Sequence, residues 1–319
     1  MKKFEPIKTC NYGPLNPKVI LEPDFFTGFD NTRRKEIVTK EAEFYHSITA
    51  PFSVSNKIQQ SYIYVEATDG YKIPVKVYRP KNCDEKIPAM LFLHGGGFIT
   101  CSPETHDYVP AYIAANAGVA CFNVDYRLAP EHKFPTGIED CCCVADWINS
   151  KAEELKLDAN KLCIGGDSSG GNFAAVITHI AKDEGNLRFW KQVLIYPATD
   201  FSGNIPKKSA AVYAMPGTSD GESSSPSFLD QYLSTPEDRN NPRVSPLLRN
   251  DLKDLPEALF IQAECDALCD DGLYYAKALS DAGVPVQCEI YKGMPHAFIL
   301  RTYEETFAAL DRICSFLRD

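Results

Sequence analysis

The chain has 319 residues, 44% of them hydrophobic and 11% aromatic, with a formal net charge of -10 at pH 7. That length suits one large α/β domain with an added cap, or two small domains, and the apolar content is that of an ordinary globule. The negative charge speaks against a nucleic acid or an anionic membrane surface as partner, and favours neutral substrates over polyanions.

Residues 1–56 read as irregular and polar, with several prolines and one helix over 33–46. Two alternating runs, 62–65 and 73–78, meet at Asp69-Gly70, which signals a hairpin. The apolar run 89–93 predicts a buried strand, 108–117 a helix, and 119–124 a further buried strand. Ile138, Cys142, Ala145 and Ile148 fall at helical spacing within 138–151. A short strand over 161–164 leads into a glycine-rich turn and a helix, and 192–196 is the next strand. Residues 200–241 are rich in Gly, Ser, Pro and acidic side chains, too long for an ordinary connection, and read as an insertion or lid. Alternation resumes with strand 258–262, helix 272–282, strand 286–291 and a last helix over 302–317. Repeated strand–helix alternation predicts an α/β fold with a mostly parallel, eight-stranded sheet and helices on both faces. Sites in such sheets lie at the carboxyl ends of the strands.

The twelve cysteines include no C-x-x-C pair, and Cys141-Cys142-Cys143 are consecutive and cannot surround one zinc ion. Reduced thiols packed as small hydrophobes in a cytoplasmic protein are expected. The stretch Met1-Lys2-Lys3-Phe4-Glu5-Pro6 lacks the apolar core of a signal peptide. No segment approaches a membrane span, so no membrane anchor is expected.

The chemistry concentrates after four strands. Gly166-Asp167-Ser168-Ser169-Gly170 has the G-x-S-x-G pattern between a strand and a helix, a nucleophile elbow. Ser168 has glycine two residues before and after it, where strand and helix need room; Ser169 would put Asp167 in the crowded place. Ser168 is therefore the candidate nucleophile, and the Ser169 N–H sits at a helix N-terminus, where a developing negative charge is favoured. A phosphate-binding loop is disfavoured because no Gly-Lys-Ser/Thr follows. After 89–93 comes His94-Gly95-Gly96-Gly97, whose glycines leave backbone N–H groups free to face an oxyanion. After 258–262 comes a loop with Asp266, Asp270 and Asp271, and after 286–291 comes His296. His296 is preferred over His46, His94, His106, His132 and His179 as the base. Asp266 is preferred as its acid partner because it is nearest its strand end, with Asp270, Asp271 and Asp200 left as alternatives. Ser, Asp and His in this order follow the α/β-hydrolase arrangement.

Taken with Asp125-Tyr126-Arg127-Leu128-Ala129-Pro130-Glu131 and Ser245-Pro246-Leu247, these pieces resemble the hormone-sensitive-lipase-like family of α/β-hydrolases, which includes many microbial carboxylesterases. The match runs from about residue 88 to the C-terminus. Ser169 stands where alanine is common and Ala267 where proline is common, and neither change removes a functional atom. The resemblance implies a triad of Ser168, Asp266 and His296. It implies an oxyanion hole from the 95–97 loop and Ser169, with Gly96 and Gly97 as the donors. It implies a catalytic domain over 57–319, with 1–56 and 200–241 contributing a cap, and needs no metal or organic cofactor. The expected function is a serine carboxylesterase acting on small neutral esters of short to medium acyl chains. An amidase or peptidase with the same triad, and a ligand-binding receptor on the same scaffold, are the alternatives. The edge of the final strand could pair two copies as a homodimer.

Overall fold

The computed structural model describes residues 10–19, 31–81, 83, 85–213 and 227–319. The expectation for residues 1–6, and parts of those for 1–56 and 200–241, lie outside the described residues. In chain order the elements are α1 (Arg34–Thr49), β1 (Ile58–Glu66), β2 (Lys72–Pro80), β3 (Ile87–Leu93), α2 (Tyr108–Ala117), β4 (Ala120–Val124), α3 (Thr136–Ser150), β5 (Leu157–Asp167) and α4 (Ser169–Glu184). There follow β6 (Lys191–Ile195), α5 (Lys208–Val212), α6 (Phe228–Tyr232), β7 (Glu257–Cys265), α7 (Cys269–Asp281), β8 (Val286–Pro295) and α8 (Glu304–Arg318).

The eight predicted strands form one sheet in the order β1-β2-β4-β3-β5-β6-β7-β8. β2 runs against both neighbours, and all pairs from β4 to β8 are parallel. A parallel sheet covered on both faces needs strands apolar on both sides, and the side chains divide accordingly. Ala89, Leu91 and Leu93 of β3 pack with residues of α3, α4 and α7. Met90 and Phe92 pack on the other face with α1, α2 and α8. All twelve cysteines are unpaired, and Cys121, Cys141, Cys163, Cys269 and Cys314 are core side chains.

Differences from the sequence reading concern boundaries and the insertion. α7 begins at Cys269 rather than 272, with Asp270 and Asp271 in its first turn, where acidic side chains suit the helix dipole. The described parts of 200–241 include two five-residue helices, too short to leave a periodic signal. α6 is N-capped by Ser227 in a capping box with Asp230. Tyr232, 2% exposed, stacks on Phe98 at 4.0 Å between ring centroids. Lys133 Nζ donates to the carbonyls of Asp230 (3.1 Å) and Leu233 (2.7 Å).

β3 is the point from which the chain first builds outward to β4 and then returns to β5 on the other side. The crevice above β3 and β5 is therefore the topological switch where α/β sheets place their sites. Close approach there depends on two glycines. A Cβ on Gly166 or on Gly170 would run into the Leu93 carbonyl oxygen. Backbone cannot swing aside as a long side chain can, so Gly170→Ala is expected to destabilise the fold by about 1–3 kcal/mol. A denaturant melt against the parent measures this, and an unchanged midpoint would contradict the tight contact.

Candidate active site

Ser168 occupies the turn between β5 and α4 at φ 54°, ψ -118°. Such a backbone costs a non-glycine residue on the order of 1–3 kcal/mol and persists only where surroundings enforce it. Here they do. The Ser168 N–H donates to the Ile195 carbonyl at 2.9 Å. Its own carbonyl accepts from the N–H groups of Asn172 (3.0 Å) and Ala198 (3.3 Å). Asn172, fully buried, ties the same region down by donating its side-chain amide to the carbonyls of Ala198 and Val244, both at 2.8 Å.

His296 follows β8 and Asp266 follows β7, so neighbouring strands bring them together. His296 Nε2 lies 3.0 Å from Ser168 Oγ, and Nδ1 lies 2.7 Å from Asp266 Oδ2. Asp266 is 1% exposed, and its Oδ1 accepts the Leu268 N–H at 2.9 Å. A carboxylate only accepts, so Nδ1 carries the ring proton and Nε2 is left free to take one from the serine. Burial alone would push the His296 pKa down. The facing Asp266 charge and hydrogen bond, with a smaller contribution from Asp167, outweigh it and hold the imidazole above its ordinary value.

The other carboxylates weighed from sequence are engaged elsewhere. Asp270 accepts from the Tyr12 hydroxyl (2.8 Å) and the Ser209 N–H (2.9 Å). Asp271 accepts from the N–H groups of Thr199 and Asp200, both at 3.0 Å, and pairs with Lys207. Asp200 accepts the Ser202 hydroxyl at 2.6 Å. Among the histidines, His179 bonds the Tyr275 hydroxyl at 2.7 Å, His46 lies beside Asp107 at 3.7 Å, and His132 is exposed.

The glycine loop lies beside the elbow because β3 pairs with β5, Leu93 opposite Gly166. Its three N–H groups are not equivalent. The Gly95 N–H donates to Asp167 Oδ1 at 2.9 Å and is not free for a ligand, which narrows the 95–97 expectation. The Gly95 carbonyl is held by His94 Nδ1 at 2.7 Å. The Gly96 carbonyl accepts from the N–H groups of Ile99 and Thr100, both at 3.1 Å. In a planar trans peptide the N–H points opposite the C=O, so fixing those two carbonyls also fixes the N–H vectors of Gly96 and Gly97. Neither N–H finds an acceptor among the described residues. The Ser169 N–H heads α4, at the positive end of the helix dipole.

His94 is fully buried, stacked on Tyr126 at 4.4 Å, and burial pushes its pKa down to about 3. It is a neutral bracket for the loop. Tyr126 donates its hydroxyl to the His94 carbonyl at 2.7 Å, so this residue braces the start of the glycine loop. Sequence reasoning missed Asp167 and His106. Asp167 was legible only as an obstacle in the wrong register of the elbow, and His106 stands in a loop with no motif around it.

Residues 90–300 match a family described as alpha/beta hydrolase fold. An ethyl acetate hydrolase of Pseudomonas putida is 38% identical over 234 residues, 72% of this chain and 73% of that protein. Carboxylesterase NlhH of Mycobacterium tuberculosis is 34% identical over 241 residues, 73% of this chain and 75% of that one. A solved hyperthermophilic esterase from the archaeon Pyrobaculum calidifontis superposes with a TM-score of 0.82 at 34% identity, covering 96% of this chain and 98% of its own. The chain belongs to the hormone-sensitive-lipase-like family of α/β-hydrolases.

Proposed function

We propose that this chain, a carboxylic ester hydrolase, cleaves small neutral esters of short to medium acyl chains through an acyl-enzyme on Ser168. The observation that carries the reading is the continuous bonding from Asp266 through His296 to Ser168, at 2.7 and 3.0 Å. His296 Nε2 takes the hydroxyl proton as Ser168 Oγ attacks the ester carbonyl carbon. The carbonyl electron pair moves onto oxygen, where the N–H groups of Gly96, Gly97 and Ser169 receive it. Collapse of the tetrahedral species breaks the bond to the alkoxy oxygen, and the imidazolium gives that leaving group its proton. Water then loses a proton to His296 and attacks the acyl carbon. The second collapse frees the acid and restores Ser168.

Aromatic side chains support a neutral acyl group. Phe201 and Phe228, both half-buried, meet edge to face with centroids 6.2 Å apart. Phe228 Cβ lies 3.6 Å from where a Cβ on Gly97 would stand, so its ring borders the oxyanion loop. A bulky wall this close favours short chains. The described parts of 1–56 and 200–241 would form the cap of a catalytic domain over 57–319. No helix among the described residues is long and apolar enough to cross a membrane; a cytoplasmic setting is supported by the twelve unpaired cysteines. β8 ends the strand order, which supports pairing of two copies along that edge.

Ser168→Ala is expected to abolish hydrolysis of p-nitrophenyl acetate by pure protein while leaving the melting temperature near the parent's; retained turnover would sink the assignment. Across a p-nitrophenyl series, kcat/KM should be highest for short to medium acyl chains and lowest for palmitate, with the matched acetanilide cleaved far more slowly. Equal anilide and ester rates would favour the amidase alternative.

The pH profile follows from the His296 environment. The free enzyme needs neutral His296, and its pKa is held above the ordinary 6.5. The acid limb of kcat/KM should therefore have its midpoint above that value, with activity lost below it. Asp266→Asn removes the main cause, so the limb should move to lower pH while kcat falls by roughly 10⁴. A limb that stays in place in that variant would contradict the pairing.

A further inference from the structure

Beneath the triad lies a second carboxylate–imidazole pair that none of the acyl-transfer steps uses. Asp167 and His106 are 2% and 1% exposed. His106 Nε2 lies 3.2 Å from Asp167 Oδ1 and 3.3 Å from Oδ2, and the Tyr196 hydroxyl is 3.5 Å from Oδ2. The remaining strong bond of this carboxylate goes to the glycine loop, through the Gly95 N–H at 2.9 Å. The fit is close: a Cβ on Gly95 would lie 2.6 Å from Asp167 Oδ2.

His106 is itself anchored. Its Nδ1 lies 2.8 Å from Thr105 Oγ1, which also accepts the Ser102 N–H at 3.1 Å. The loop carrying it is fastened from outside by Lys76, whose Nζ is 2.8 Å from Glu104 Oε2 and 2.6 Å from Asp107 Oδ1. Contacts thus run from β2 through the 102–107 loop to the elbow and on to Gly95. A buried carboxylate is costly unless it is paired and fully bonded, and here its partners are the elbow's neighbours and the oxyanion loop. Burial would raise its pKa, yet His106 and the Gly95 N–H hold it below the usual carboxylate value, so the acceptor facing Gly95 stays charged.

We propose that Asp167, held by His106, is a positioning residue that fixes the glycine loop through the Gly95 N–H and so aims the Gly96 and Gly97 donors. The inference rests on the acyl-transfer reading above. An oxyanion donor works only within a few tenths of an ångström of its place. Loosening the loop therefore weakens transition-state binding and leaves ground-state binding nearly intact.

The test compares the full-length parent with Asp167→Ala, Asp167→Asn and His106→Gln. Active sites are counted by stoichiometric p-nitrophenol release from a p-nitrophenyl organophosphate. In Asp167→Ala, kcat per titrated site should fall roughly 10- to 100-fold, less than the about 10²–10³ of losing a donor outright, with KM nearly unchanged. Affinity for a trifluoromethyl ketone, whose hemiketal oxyanion needs the same donors, should fall by the same factor. Asp167→Asn, which keeps an oxygen for the Gly95 N–H, and His106→Gln, which keeps a donor for Asp167, should recover most of both. A role in stability alone would lower the titratable fraction or the melting temperature and leave kcat per site and ketone affinity at parent values, and that result overturns the inference. Should Asp167→Ala fail to fold, Asp167→Glu keeps the charge but displaces the acceptor. The same parallel loss is then expected, and unchanged values overturn the inference. A parent that is not titrated at all would instead overturn the esterase reading.

Discussion

The site depends on the contact between the end of β3 and the turn after β5. The Leu93 carbonyl stands so close to Gly166 and Gly170 that no side chain fits at either place. That approach does two things at once. It lets strand and helix meet around Ser168, which holds the serine in its strained conformation with the hydroxyl facing His296. It also sets the residues that follow Leu93, the glycine loop, beside the nucleophile. The proposed nucleophile and oxyanion donors are thus brought together by one backbone contact. Asp266 and His296 arrive separately, from the ends of β7 and β8.

Two histidines near this contact show how environment assigns roles to one residue type. His94 is fully buried and His296 partly so, and burial disfavours the charged ring in each. His94 has a carbonyl and an aromatic ring for company, stays neutral, and braces a peptide. His296 faces a buried carboxylate, which overcomes the burial and prepares the ring to carry positive charge when it accepts a proton. The difference is between a hydrogen-bond acceptor without net charge and one with it.

Much of this was legible in the sequence because it follows from local rules. Eight strand-like runs, a glycine-flanked serine and chemistry-bearing residues after separate strands are enough to predict an eight-stranded, mostly parallel sheet and to single out Ser168, Asp266 and His296 as candidates. What was not legible depends on pairs distant in sequence. That the Gly95 N–H is spent on Asp167 follows from β3 lying beside β5, which separates two residues by 72 positions in sequence while placing them in contact. His106 meets Asp167 across 61 positions, from a loop without regular structure. Glycine content marks where a loop can bind an anion; it does not tell which of three N–H groups the fold has already used.

The acid loop extends the same lesson to the insertion. Asp266, Asp270 and Asp271 lie within six residues of one another and differ only in what surrounds them. Asp270 and the neighbouring backbone grip Ser209: its N–H donates to Asp270 Oδ2 at 2.9 Å, its hydroxyl donates to the Ala267 carbonyl at 2.8 Å, and it accepts the Asp270 N–H at 3.1 Å. Asp271 gathers Thr199, Asp200 and Lys207, and burial raises its pKa to about 6 despite the lysine. The first residues of the insertion are therefore bonded to the loop that orients His296. A displacement of residues 199–209 would break bonds to Ala267, Asp270 and Asp271, the loop neighbours of Asp266. Residues 199–209 and the loop that carries Asp266 are thus joined through Asp270 and Asp271, while Asp266 is the one of these three aspartates that bonds His296.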